Sequence, residues 1–128
     1  MVGAANTMRA VRQMTGLHEL RARGGMTWIA QERGWVGAPD EIVRALSQDG
    51  FDECKREMTT SRRDLRPAGG VWQGVNPRTG SVASAIWVSR PVWDQAIVFI
   101  EVDGESLKGN HDDPVLERDP YGEDGGEG

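Results

Sequence analysis

One stretch, Val71 to Val102, constrains the fold more than any other, because its apolar residues alternate with period two over enough length to demand strands. Asn76-Pro77-Arg78-Thr79-Gly80 supplies a turn within it. Proline holds φ at about −65°, and glycine accepts the positive φ that closes a type I turn with a bulge. Strands should flank this turn. On the first, Val71, Gln73 and Val75 share one face and Trp72 and Gly74 the other; on the second, Val82, Ser84, Ile86 and Val88 alternate with Ala83, Ala85 and Trp87. Arg90-Pro91 breaks the run, since proline has no ladder donor, and Val92 to Gln95 cross to a third strand. There Ala96, Val98, Ile100 and Val102 make one apolar face. Ile97 and Phe99 make the other apolar until Glu101 and Asp103, the pattern of a central strand covered on both sides. Asp103-Gly104 is a hairpin dipeptide, so Glu105 to Leu107 are expected to add a short edge strand.

Ahead of the sheet the spacing reads as helical. Met8, Val11 and Met14, continued by Leu17 and Leu20, recur at helical intervals from Thr7 to Gly24-Gly25, as one kinked helix or two short ones. Thr27 is placed to cap a second helix, Trp28 to Arg33, which Gly34 ends. A third is marked by Pro39 at its first position, Asp40 and Glu41 in its first turn, and an apolar face of Ile42, Val43 and Leu46; Gly50-Phe51 reads as a Schellman stop. Asp52 is expected to open a fourth, with Phe51, Cys54 and Met58 along one side. The fold expected is therefore α+β: three or four short N-terminal helices packed on a three- to four-stranded antiparallel sheet, followed by a disordered acidic C-terminal tail.

A chain of 128 residues is large enough for one core without disulfides or metal. We expect a single domain over residues 1–108, helical over 7–60 and sheet over 71–107, with the tail at 109–128. A lone cysteine, Cys54, and the lack of a signal-like or membrane-length apolar run point to a reducing, cytoplasmic setting and to no membrane partner. The net charge of −5 is unevenly placed: residues 1–90 hold 13 Lys or Arg against 9 Asp or Glu, and the remainder 2 against 11. In residues 109–128, seven acids, two prolines and five glycines accompany only Val115, Leu116 and Tyr121 as apolar content, too little burial to offset the entropy of ordering.

Chemistry-bearing clusters are few. Lys55, Arg56, Arg62, Arg63 and Arg66 form a basic group able to meet phosphates, and the acidic tail could fold over it. Glu101 and Asp103 fall on one strand face, as paired carboxylates would; His111-Asp112-Asp113 lies in the tail, away from His18. Cys54, at helical spacing with Phe51 and Met58, reads as a small buried hydrophobe. No residue is assigned as catalytic, none as a metal ligand, and no cofactor is expected.

Two segments resemble known families. Trp28 to Gly34 followed by Pro39 to Leu46 resembles the two helices and glycine turn of helix-turn-helix DNA-binding proteins, which would imply that residues 28–46 help the basic 55–66 segment bind nucleic acid. Ile86-Trp87-Val88-Ser89 followed by Ala96 to Leu107 is similar to adjacent core strands of ADP-ribosyltransferase-type folds. That similarity implies a small transferase acting on a nicotinamide cofactor, with an early strand bearing His or Arg; His18 falls in a helix-like segment instead.

Five tryptophans, at 28, 35, 72, 87 and 93, are many for so short a chain, and tryptophan is favoured at contact surfaces. Trp35, Trp72, Trp87 and Trp93 are therefore the candidate anchors of a surface that binds a protein partner or a second copy of the chain. The leading functional expectation is a non-enzymatic protein-interaction module, an accessory, regulatory or assembly subunit. Nucleic-acid binding through Lys55, Arg56, Arg62, Arg63 and Arg66 stands second, and the transferase third.

Overall fold

The computed structural model describes residues 14–60, 67–90, 95–110 and 113–118. Along the chain run α1 (Thr15–Ala22), β1 (Met26–Ile29), β2 (Gly34–Gly37), α2 (Pro39–Gln48), β3 (Asp52–Thr60), β4 (Pro67–Val75), β5 (Val82–Ser89), β6 (Ala96–Val102), β7 (Glu105–Asn110) and β8 (Asp113–Arg118). Every strand pairing is antiparallel, in the lateral order β1-β2-β6-β5-β4-β3. β5 takes one edge of β6; β2 and β7 share the other, β2 at Ala96–Val98 and β7 at Glu101–Val102. β8 adds to β7. Three or four helices on a three- to four-stranded sheet were expected; the described chain is instead mostly antiparallel sheet, with two helices.

Two segments account for most of that correction. Residues 26–37 form a hairpin, Trp28 opposite Trp35 and Ile29 opposite Gly34, where a capped helix was expected. The helix-like signal came from the loop, whose amides at Glu32 and Arg33 donate to the carbonyls of Ile29 and Ala30 as a helix turn would, before Arg33 turns to φ 54°. Thr27, Trp28, Ile29, Trp35 and Val36 suit a pleated surface, and β6 offers Val98 and Ile97 as partners for Trp35 and Val36. The helix-turn-helix arrangement over 28–46 is thereby excluded.

The expected fourth helix is the edge strand β3. Its Glu, Lys, Arg and Met residues favour helix locally, but β4 presents a row of backbone donors and acceptors that β3 satisfies from Asp52 opposite Val75 to Thr60 opposite Pro67. All nine residues of β3 are exposed. A register shift at Cys54 and five charged residues are what an edge strand carries against unwanted pairing. The acidic end is corrected too: residues 113–118, expected to be disordered, form β8, with Leu107 opposite Arg118 and Gly109 opposite Leu116.

Elsewhere local chemistry and structure agree. α2 begins with Pro39, carries Asp40 and Glu41 in its first turn, and buries Ile42, Val43 and Leu46. Phe51 N donates to Leu46 O at 3.2 Å and Gly50 N to Ser47 O at 3.0 Å, with Gly50 at φ 102°, which is the Schellman arrangement. In the β4–β5 turn Gly80 takes φ 79° and its amide donates to Asn76 O at 2.8 Å. Asp103 and Gly104, at φ 54° and 83°, close β6 on β7 as a type I′ turn requires.

One face of the sheet carries the core. Trp72, Ala83, Ala85, Trp87, Ala96, Val98, Ile100 and Val102 lie buried, joined by Leu17 and Leu20 of α1 and Ile42 and Leu46 of α2. Small residues on β4 make room for the indoles: a Cβ on Gly70 would lie 2.4 Å from Trp87 Cζ2, and one on Gly74 2.4 Å from Trp72 Cη2. The helices are tied together by Asp49, just past α2. Its carboxylate accepts Gly16 N at 2.6 Å and Leu17 N at 3.0 Å, capping α1 across the fold.

Candidate interaction surface

The other face of the sheet presents a different chemistry. Strand alternation carries Val71 and Gln73 of β4, Ser84, Ile86 and Val88 of β5, and Ile97, Phe99 and Glu101 of β6 to the side away from the helices. Register sorts them into rows: Glu57–Val71–Ile86–Phe99, then Gly69–Val88–Ile97–Val36, and Lys55–Gln73–Ser84–Glu101. Ile86 is 48% exposed, Val88 57% and Phe99 38%, so no described element is laid over them. β6 is therefore central but covered on one side only, where alternation alone suggested two. The apolar pattern on this face was legible; its lack of a cover was not.

This patch stands on a rigid part of the sheet. Ile86 and Val88 sit on β5, which is paired along both edges, and their β-branched side chains have little rotamer freedom to lose on burial. Covering each of these exposed side chains is worth roughly 1 kcal/mol. At the margins lie charges of both signs: Lys55 with Glu57 at 4.0 Å on the β3 side, and Glu101 on the β6 side.

The four described tryptophans do not contribute to it. Trp35, Trp72 and Trp87 are buried in the core, and so is Trp28, so none of the three expected anchors reaches a partner in this fold. Trp93 lies outside the described residues. Trp35 instead ties β2 to β7: its Nε1 donates to Leu107 O at 3.2 Å, its ring meets Trp28 edge-on at 5.3 Å, and the Arg21 guanidinium lies 5.4 Å from its centroid. The small residues facing Trp72 and Trp87 were the sequence signal for burial, because indoles need such space.

The chain matches no family model, no curated protein and no solved structure.

The other expected groups are dispersed. Lys55 and Arg56, adjacent on β3, point to opposite faces, and each has an acid beside it: Arg56 binds Glu53 at 2.9 Å and lies 3.9 Å from Asp40. Arg62, Arg63 and Arg66 lie outside the described residues, as does His111. Glu53 also accepts Trp72 Nε1 at 2.9 Å. The Arg56 hydrogen bond first, and that of Trp72 second, hold the Glu53 carboxyl below its usual range. Cys54, expected to be buried, is exposed at the β3 bulge, and Met58 is exposed with it. One carboxylate oxygen of Asp103 accepts Val82 N at 2.9 Å and the other is buried, whereas Glu101 is exposed. His18 lies in α1, close enough for its charge to act on Asp49. Burial raises the Asp49 carboxyl despite the two amides it accepts. Among the described residues no three His, Cys, Asp or Glu side chains gather as metal ligands, and no helix is long and apolar enough to cross a membrane. The segments resembling transferase strands are β5 and β6–β7, antiparallel neighbours; the early strand β1 holds Met, Thr, Trp and Ile, with neither His nor Arg.

Proposed function

We propose that this chain is a protein-interaction module, an accessory or assembly subunit that acts by contact, and that its contact surface is the open face of the sheet. The observation that carries the reading is the contiguous exposure of Ile86, Val88 and Phe99 on the rigid centre of the sheet. Singly exposed apolar side chains are ordinary; a cross-strand cluster flanked by Val71 and Ile97 and rimmed by charges is the usual form of a docking site.

The test is site-specific photocrosslinking in the native host. A photoreactive residue at Val88 should give a discrete protein adduct, and the same residue at exposed Arg44 on α2 should not. Equal labelling from both positions, or none from Val88, would refute the assignment.

A further inference from the structure

We infer that the occupant of the open face is one amphipathic helix of a partner protein, laid along β5 with a basic end at Glu101 and an acidic end at Arg90; this deepens the contact-surface reading above and rests on it. The shape of the apolar area comes first. Val71, Ile86 and Phe99 in one row, and Val88 and Ile97 in the next, lie on three adjacent strands. At the usual strand spacing they form a band about 10 Å across. An α-helix with its side chains is about 10–12 Å wide.

The state of the backbone beneath that band narrows the choice of occupant. β4 and β5 are already paired along both edges, so an incoming segment cannot join the ladder there and meets side chains only. An extended strand laid over them would carry backbone donors and acceptors with no partners, whereas a helix satisfies its own. A second sheet would need about 800 Å² from each side, more than this band holds.

Charge fixes the length and the ends. The register of β5 and β6 continues past Ser89, where Arg90 N donates to Gln95 O at 3.0 Å, so alternation puts Arg90 on the open face with Ile86 and Val88. Glu101 stands opposite Ser84 at the other end. Both are exposed, and among the described residues neither makes an ion pair, whereas Lys55 and Glu57 answer each other at 4.0 Å on the β3 margin. From Ser84 to Arg90 the strand advances about 20 Å, at roughly 3.3 Å per residue. A helix covers that length in about thirteen residues. An apolar strip with an unanswered acid at one end and an unanswered base at the other complements a helix that carries apolar side chains at i, i+3 or i+4 and i+7 and opposite charges at its two ends.

The test is an NMR titration of the isotope-labelled full chain with a capped peptide of about fourteen residues. The peptide is built on alanine and glutamine, with leucines at i, i+3, i+7 and i+10, lysines at one end and glutamates at the other. It should shift the amides of Ile86, Val88, Ile97 and Phe99 with a dissociation constant of roughly 10–100 μM, as suits a small, transient interface. A peptide of the same composition with its leucines spread around the helix should bind about ten-fold more weakly or worse. Ile86→Lys should cost about ten-fold in affinity or more. Its circular dichroism should match the wild type, since the side chain is already half exposed. Arg90→Glu combined with Glu101→Lys should hold the affinity within about three-fold but turn the peptide round. A spin label on the lysine end should then broaden amides near Ser84 in the wild type and near Ser89 in the variant. Equal binding of the two peptides, no binding, or shifts confined to other residues overturns the helix, and a label that broadens both ends alike overturns the role of the charges. Shifts of the same amides that grow with protein concentration alone would assign the face to a second copy and overturn the helix as well. A Val88 crosslink that maps to a partner segment without the helical apolar spacing overturns this inference and leaves the contact surface standing, whereas the absence of any Val88 adduct overturns both.

Discussion

Asp49→Ala removes a contact that joins elements remote in sequence, and its cost can be worked from the structure. The carboxylate accepts Gly16 N at 2.6 Å and Leu17 N at 3.0 Å, two amides in the first turn of α1, whose own N-cap, Met14, supplies no side-chain acceptor. Two hydrogen bonds to an ionised group would contribute about 3 kcal/mol or more. Against that stands the burial of the charge, which outweighs the hydrogen bonds in setting the direction of the Asp49 shift. The net should fall within the usual range for a helix cap, about 1–2 kcal/mol, or roughly 4–8 °C in Tm for a chain of this size. Urea unfolding at several pH values is the assay. The sign follows from the shift: the folded carboxyl titrates above 3.8, so the folded state binds the proton first. The stability contributed by Asp49 is fully present below 3.8 and declines as pH rises through its folded value. The deficit of Asp49→Ala should therefore grow on acidification and level off below 3.8. A variant within about 0.5 kcal/mol of wild type at neutral pH would refute the cap, being the scatter of ordinary surface changes. A deficit that shrinks on acidification would refute the balance of burial against hydrogen bonding.

Two further substitutions examine the tryptophans. Trp35→Phe leaves the buried carbonyl of Leu107 without its indole donor and should cost about 2–3 kcal/mol in denaturant unfolding; a change below about 0.5 kcal/mol would show that β7 does not depend on this tie. Trp72→Phe deletes one of the two donors holding Glu53 in its ionised form, so the Glu53 pKa, followed by carboxyl carbon NMR, should rise toward 4.5. In the wild type that group has the opposite sign to Asp49: its contribution is present above 4.5 and is lost as pH falls through the lowered value.

The elements legible beforehand were those whose information is local. α2 has its proline, first-turn acids, apolar stripe and glycine stop within fourteen residues, and the β4–β5 hairpin is announced by its turn and by clean alternation on both sides. Residues 26–37 and 52–60 were misread for one shared reason. Each carries some helical features over a few residues, and each is held as strand by a ladder to a distant partner, β6 for one and β4 for the other. The candidate site was half legible. Alternation placed Ile86, Val88 and Phe99 on a common face, but the two described helices pack on the other. The tryptophans misled in the reverse sense, since abundance suggested a surface while Gly70, Gly74, Ala83 and Ala85 had already cleared an interior for two of them.

Taken alone, the order of residues settles period, turns and caps from Pro39 to Phe51 and from Val71 to Leu107, because a backbone preference or a side-chain cap acts within a few positions of itself. Which sheet face receives the helices, that Asp49 reaches α1, and that an exposed, charged β3 is strand at all were decided by the assembled fold. Those outcomes depend on backbone groups and space that exist only once β4, β6 and the two helices are in place, and a chain read residue by residue holds no such partners.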